Sequence, residues 1–148
     1  MASEGLTATV GLRIGAIRRM FYVCGEDVDR SEGPIELTFD DGSVLLLDAG
    51  SDGEELRVGS VAWHDPFAGV TEPEYIEYVA ESGKYTAFDV GSEHPYSQLV
   101  GGLVMSITES RLRDDRLRGA VLEVSGSRLA VETVADELLV SWDHRPAC

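Results

Sequence analysis

The chain has 148 residues, 43% hydrophobic and 26% charged, with a mean hydropathy of −0.06, the composition of one soluble globular domain. A domain of this size buries ~70% of its unfolded-chain surface without help from disulfides or metals, and no apolar run nears the ~20 residues of a spanning helix. The net charge of −15 repels phosphate backbones and anionic lipid faces, which excludes general nucleic-acid and membrane-surface binding.

That charge is concentrated. Residues 21–100 hold 18 Asp and Glu against only Arg30, Arg57 and Lys84, so a basic protein or a cation is the partner such a field attracts. The first residues carry no basic segment followed by an apolar one, so no secretory signal is expected there. The two cysteines, Cys24 and Cys148, do not make a disulfide framework, and the expected compartment is a reducing cytoplasm. Eleven Arg to one Lys, 16 Val to five Ile and no Asn suggest a GC-rich bacterial gene.

In chain order, Val10, Leu12, Ile14 and Ala16 alternate with small or polar residues and lead into Met20–Val23, a first strand. Gly25 to Pro34 reads as an acidic loop. Ile35, Leu37 and Phe39 alternate with Glu36, Thr38 and Asp40, a strand with one face in solvent. Asp41-Gly42 turns the chain into Val44–Leu47, and Ser51-Asp52-Gly53 turns it again into Leu56–Val61. Thr71-Glu72-Pro73-Glu74 carries a helix-start signature. Tyr75, Ile76, Val79 and Ala80 form the apolar arc, Glu74, Glu77, Tyr78 and Glu81 the polar one, and Gly83 is the stop. Lys84–Val90 alternates as a strand. The second half reads as strands at Leu103–Ile107, Ala120–Val124, Arg128–Val134 and Glu137–Trp142, with a charged loop from Glu109 to Gly119.

The two series of strands match each other. Val10-Gly11 aligns with Val100-Gly101, Ile17 with Ile107, Leu37 with Leu122, and Gly42-Ser43 and Leu45 with Gly126-Ser127 and Leu129. The expected fold is therefore mainly β: one domain spanning 1–148, in which similar antiparallel meanders at 10–61 and 100–142 form one barrel or sandwich. A connector, 63–98, supplies one short amphipathic helix and one strand lying across both meanders.

Motifs that carry chemistry are weak. His64-Asp65, Glu93-His94 and Asp143-His144 each pair an imidazole with an acid, but their spacing is not that of ligands on one element. Neither a metal nor another cofactor is expected. Acids after Cys24 blunt its thiol, the serines have no nucleophile-elbow pattern, and Gly101-Gly102 has no phosphate-loop lysine. Asp48, Asp52 and Glu54 do not have calcium-loop spacing. No catalytic residue is assigned. Trp63 and Phe67 read as residues closing the core.

The acidic helix stripe stands out instead. Glu74, Glu77 and Glu81 have no Lys or Arg at i+4 to offset them, and Glu77 and Glu81 repel by ~0.2–0.5 kcal/mol. Tyr78 lies among them as an aromatic anchor of the kind found at binding hot spots. These four residues are the candidate partner-binding site.

Phe39-Asp40-Asp41-Gly42-Ser43, the repeated hairpins and Glu137-Leu138-Leu139-Val140-Ser141-Trp142 resemble small bacterial β-rich proteins, some of which are similar to immunity proteins that neutralise toxins from neighbouring cells. The resemblance implies a non-enzymatic binding protein that covers a basic surface of its partner, and it assigns no residue a role. Two other readings stand beside it. One is a domain that self-associates, as a homodimer, through exposed strand edges; the other is a small enzyme or ligand carrier with a site between the meanders.

Overall fold

The computed structural model describes residues 4–50, 53–66, 73–135 and 137–144, with backbone only at 74, 75, 79–81 and 142–144. A short helix α1 (Glu4–Thr7) precedes five strands: β1 (Ile14–Cys24), β2 (Asp27–Asp29), β3 (Ile35–Phe39), β4 (Val44–Ala49) and β5 (Leu56–Gly59). Helix α2 (Pro73–Ser82) and strand β6 (Lys84–Asp89) form the connector. A 3-10 turn at Tyr96–Gln98 then opens a second series: β7 (Val104–Arg111), β8 (Leu117–Val124), β9 (Ser127–Val134) and β10 (Glu137–His144).

The strands make two antiparallel sheets. The first runs β2-β1-β3-β4-β5 with β6 added on β1, and the second runs β10-β9-β8-β7. They do not close into a barrel, so that half of the expectation is corrected. One apolar cluster unites the two sheets: Ile17 of β1, Leu37 of β3 and Leu45 of β4 join Leu122 of β8, Leu129 of β9 and Leu138 of β10. Each such side chain contributes roughly 1.5–3 kcal/mol by leaving water.

The two series have the same internal order. Ile17 pairs with Leu37 and Leu37 with Leu45; correspondingly, Ile107 pairs with Leu122 and Leu122 with Leu129. Both openings carry an irregularity at the matching place, between Ile14 and Ala16 and between Val104 and Ser106. The openings also bond to each other reciprocally. Gly11 N–H donates to Val104 O (2.9 Å) and Gly101 N–H to Ile14 O (2.7 Å), while Ile14 N–H donates to Gly102 O and Val104 N–H to Leu12 O (both 2.9 Å). Gly11 and Gly101 hold φ of +89° and +84°, a conformation that glycine reaches without a Cβ penalty.

Several expected elements shift. The first strand begins at Ile14, not Val10, because Ala8–Gly11 form the turn that makes those cross-bonds possible. The acidic loop contains β2, which pairs Val23 with Val28. The charged loop of the second half is shorter than expected, since β7 runs to Arg111 and β8 starts at Leu117. The helix count was also too low: α1 and the 3-10 turn had no periodic pattern to reveal them, yet they bury Leu6 and Tyr96 in the core. The connector strand does not lie across both meanders. Instead β6 adds to the free edge of β1, pairing Tyr22 with Tyr85 and Arg18 with Asp89.

Among the described residues, no helix is long and apolar enough to cross a membrane. Two features of the first sheet position the site described next. Arg19 is buried (3% exposed) and donates to Pro34 O, Gly33 O and the Tyr96 hydroxyl (3.2, 3.0 and 2.7 Å), fastening the 30–34 loop to β1. Glu36, expected on a solvent face, is 3% exposed because residues 62–65 fold over it.

Candidate partner-binding site on α2 and an aromatic cleft

Helix α2 spans Pro73–Ser82 and stops before Gly83 as expected, while Thr71 and Glu72 of the helix-start signature lie outside the described residues. Gly83 follows with φ of +77°, and a Cβ there would come within 2.4 Å of Val23 O. Only glycine permits both the left-handed turn and this close passage over β1, and the passage sets α2 beside the end of that strand.

Of the four stripe residues, Glu77 and Tyr78 are exposed, Tyr78 to 55%. The side chains of Glu74 and Glu81 lie outside the described residues. Ile76 was expected on the apolar arc, but it is 57% exposed. The side chains of Tyr75, Val79 and Ala80, the rest of that arc, lie outside the described residues.

At Tyr78 lies an open cleft of about 210 Å³, lined by Tyr22, Trp63, Tyr78 and Tyr85 together with Pro66, Gly83 and Lys84. Four segments supply it. Tyr22 and Tyr85 are cross-strand partners on β1 and β6 and meet edge to face, ring centres 5.3 Å apart at 82°. Tyr22 donates its hydroxyl proton to Ser82 O, tying the end of α2 to β1. The Tyr85 hydroxyl donates to Glu32 of the acidic loop. Burial, with the carboxylate of Glu32 beside it, pushes the Tyr85 phenol well above its ordinary pKa.

Trp63 is held by its backbone. Its N–H donates to Glu36 Oε2 (2.8 Å) and its carbonyl accepts from Arg18 Nη2 (3.2 Å), while Arg18 and Glu36 form a two-point ion pair with both bonds at 2.7 Å. Burial alone would raise the pKa of Glu36, but the hydrogen bonds from Arg18 and Trp63 overcome it, and the carboxyl sits below its ordinary value. A second ion pair, Lys84 with Asp65, fastens the same segment to β6. Trp63 is thus half-buried on the cleft rather than closing the core, which corrects its expected place. Phe67 falls outside the described residues.

The other sequence candidates do not gather. His64 and His94 are exposed, the latter with Nδ1 3.3 Å from Gln98 Nε2, and the His144 side chain is not described. Among the described residues no three His, Cys, Asp or Glu side chains are placed to hold a metal. Cys24 is exposed at the end of β1.

The space between the two series contains a shallow cleft of about 420 Å³ where Leu56 and Arg57 of β5 face Arg111, Arg116 and Leu117. Two of its three arginines are already matched to acids: Arg111 to Glu109 at 2.6 Å, and Arg116 to Asp114 at 2.7 Å and Glu54 at 3.2 Å. Tyr22 and Tyr85, on which the aromatic cleft depends, carried no signal in the sequence, since aromatic residues in strands usually pack in the core. Against known proteins, the chain matches no family model, no curated sequence and no solved structure.

Proposed function

We propose that this protein is a non-enzymatic cytoplasmic binding protein that docks a basic protein partner on the face formed by α2 and the aromatic cleft, in the manner of a toxin-neutralising immunity protein. The observation that carries this reading is the exposure of Glu77 and Tyr78 on α2, with Tyr78 lining a cleft that holds three further aromatic residues. Acids that steer, beside an aromatic anchor that buries, are the two parts of a charge-guided interface. Association is then fast at low salt and slows as ionic strength rises. The test is capture from lysate of the source cells with wild-type bait and with the triple variant Glu74→Lys, Glu77→Lys, Glu81→Lys, whose fold is checked by circular dichroism. A partner held by the wild type and lost by the variant supports the proposal; identical captures refute it. A gene for a secreted toxin beside this one would independently favour the immunity reading.

We also infer that the two series arose by duplication, a view supported by their common pairing order and reciprocal opening bonds. One consequence favours the self-association reading. The edge of β1 beyond Ile17 is covered by β6, whereas among the described residues the matching edge of β7, from Ile107 to Arg111, pairs with no strand. A monomer by light scattering at every concentration would refute that reading.

A further inference from the structure

We infer that the aromatic cleft beside α2 is a receptacle for one cationic side chain, a guanidinium in preference to an ammonium, presented by the basic partner. This rests on the reading of α2 as the partner face and names the chemistry of its anchor. Size is the first argument. About 210 Å³ lies below the ~300–1,000 Å³ typical of small-molecule pockets and suits a single inserted side chain.

The second argument is the lining. Tyr22, Trp63, Tyr78 and Tyr85 reach the cleft from β1, the 60–66 segment, α2 and β6. Clusters of aromatic rings attract cations through their negative faces, most strongly where water is displaced. The protein already uses this pairing internally: the guanidinium carbons of Arg19 and Arg30 lie 4.9 and 4.7 Å from the centre of the Phe21 ring.

Charge supplies the third. The cleft has one cation of its own, Lys84, and its ammonium is already joined to Asp65. Glu32 remains at the Tyr85 hydroxyl, so Lys84, Asp65 and Glu32, the charged groups that line or touch the cleft, leave an excess of negative charge. A greasy side chain would leave that excess unmatched, and a cation would neutralise it. Guanidinium is favoured because it is planar, stacks on rings and sheds water more readily than ammonium does.

The walls are also set before anything arrives. Tyr22 is pinned by Ser82, Tyr85 by Glu32, and Trp63 by the Arg18–Glu36 pair. Little ordering is left to be done on binding, which favours recognition by a fixed cleft.

The experiment titrates the full chain with N-acetyl-arginine amide, N-acetyl-lysine amide and N-acetyl-norleucine amide, following the indole N–H resonance of Trp63. A Trp63→Phe variant assigns that resonance, and Trp142 serves as the internal control. The expected result is a saturable shift of Trp63 with the arginine amide at millimolar concentration, weaker saturation with the lysine amide and none with norleucine. Tyr78→Ala should weaken the arginine amide about fivefold; Tyr78 is 55% exposed, so the fold persists, as circular dichroism will verify. Equal shifts from norleucine, equal affinity for lysine, or a Trp63 resonance that no probe moves would each overturn the inference. No partner is needed for this measurement. Probe binding alongside identical captures by wild type and triple variant refutes the partner reading alone; glutamate-dependent capture with a silent cleft refutes the receptacle alone.

Discussion

Replacing Glu36 by Gln tests the network that places Trp63 in the cleft. The carboxylate is 4% exposed and receives three hydrogen bonds, two from Arg18 and one from the Trp63 N–H. Glutamine keeps the shape but offers one acceptor oxygen, so at least one donor is left facing an NH2 group. Breaking a fully buried ion pair costs about 3–5 kcal/mol. Here Arg18 keeps 35% of its side chain in water, and solvent relieves part of that loss. Hydrogen bonds to a charged group are worth ~1.5–3 kcal/mol each in net terms, which puts the expected destabilisation at about 2 kcal/mol. For a chain of this length that corresponds to a fall in Tm of about 4–8 °C. Urea unfolding followed by far-ultraviolet circular dichroism measures it, with an unchanged slope and a lower midpoint.

The pH dependence supplies an internal check. The folded Glu36 carboxyl titrates below its ordinary value of 4.5, so its stabilisation is complete above pH 4.5 and is lost as pH falls through the lower folded value. The gap between wild type and Glu36→Gln must therefore be constant near neutrality and narrow in acid. A loss of under about 0.5 kcal/mol, the level of an exposed pair, would refute the reading of Glu36 as a buried tie. So would a gap that stays open at low pH.

Two further outcomes follow from local geometry. Gly33 has φ of +137° and an added Cβ would lie 1.9 Å from Met20 O, whereas Gly126 has φ of +91° with nothing within 4 Å; Gly33→Ala should cost roughly 2 kcal/mol or more and Gly126→Ala only about 1 kcal/mol, compared by the same urea assay. Tyr85 stays protonated to higher pH when folded than when unfolded, so its contribution is whole below pH ~10 and declines as alkali ionises the unfolded phenol. Tyr85→Phe should flatten the alkaline fall of stability, and an unchanged alkaline limb would refute the role assigned to its bond with Glu32.

What the sequence determined by itself was local. Alternation marked β3, β8 and β9 because one side of each strand faces the core. Glycine at positive φ marked the turns at Gly42 and Gly126, and Pro73 and Gly83 bounded α2, since these residues act through their own backbone. The match of Leu37 with Leu122 and of Leu45 with Leu129 was readable because paired strands demand the same apolar register wherever they occur. Helix periodicity placed Glu77 and Tyr78 in solvent, where they lie, but it also placed Ile76 on the apolar arc, and that side chain is equally exposed.

What only the tertiary structure decided was which surfaces meet. Nothing local indicates that β6 completes the edge of β1, since an edge is satisfied by any strand that reaches it. The same holds for Glu36, whose alternation placed it in solvent until a distant segment folded over it and Arg18 compensated its charge. Tyr22, Trp63 and Tyr85 become a cleft only because strand pairing, a loop and a helix end converge there. Side-chain spacing along a chain encodes faces, but the choice of which face covers which is made by packing between residues far apart in sequence.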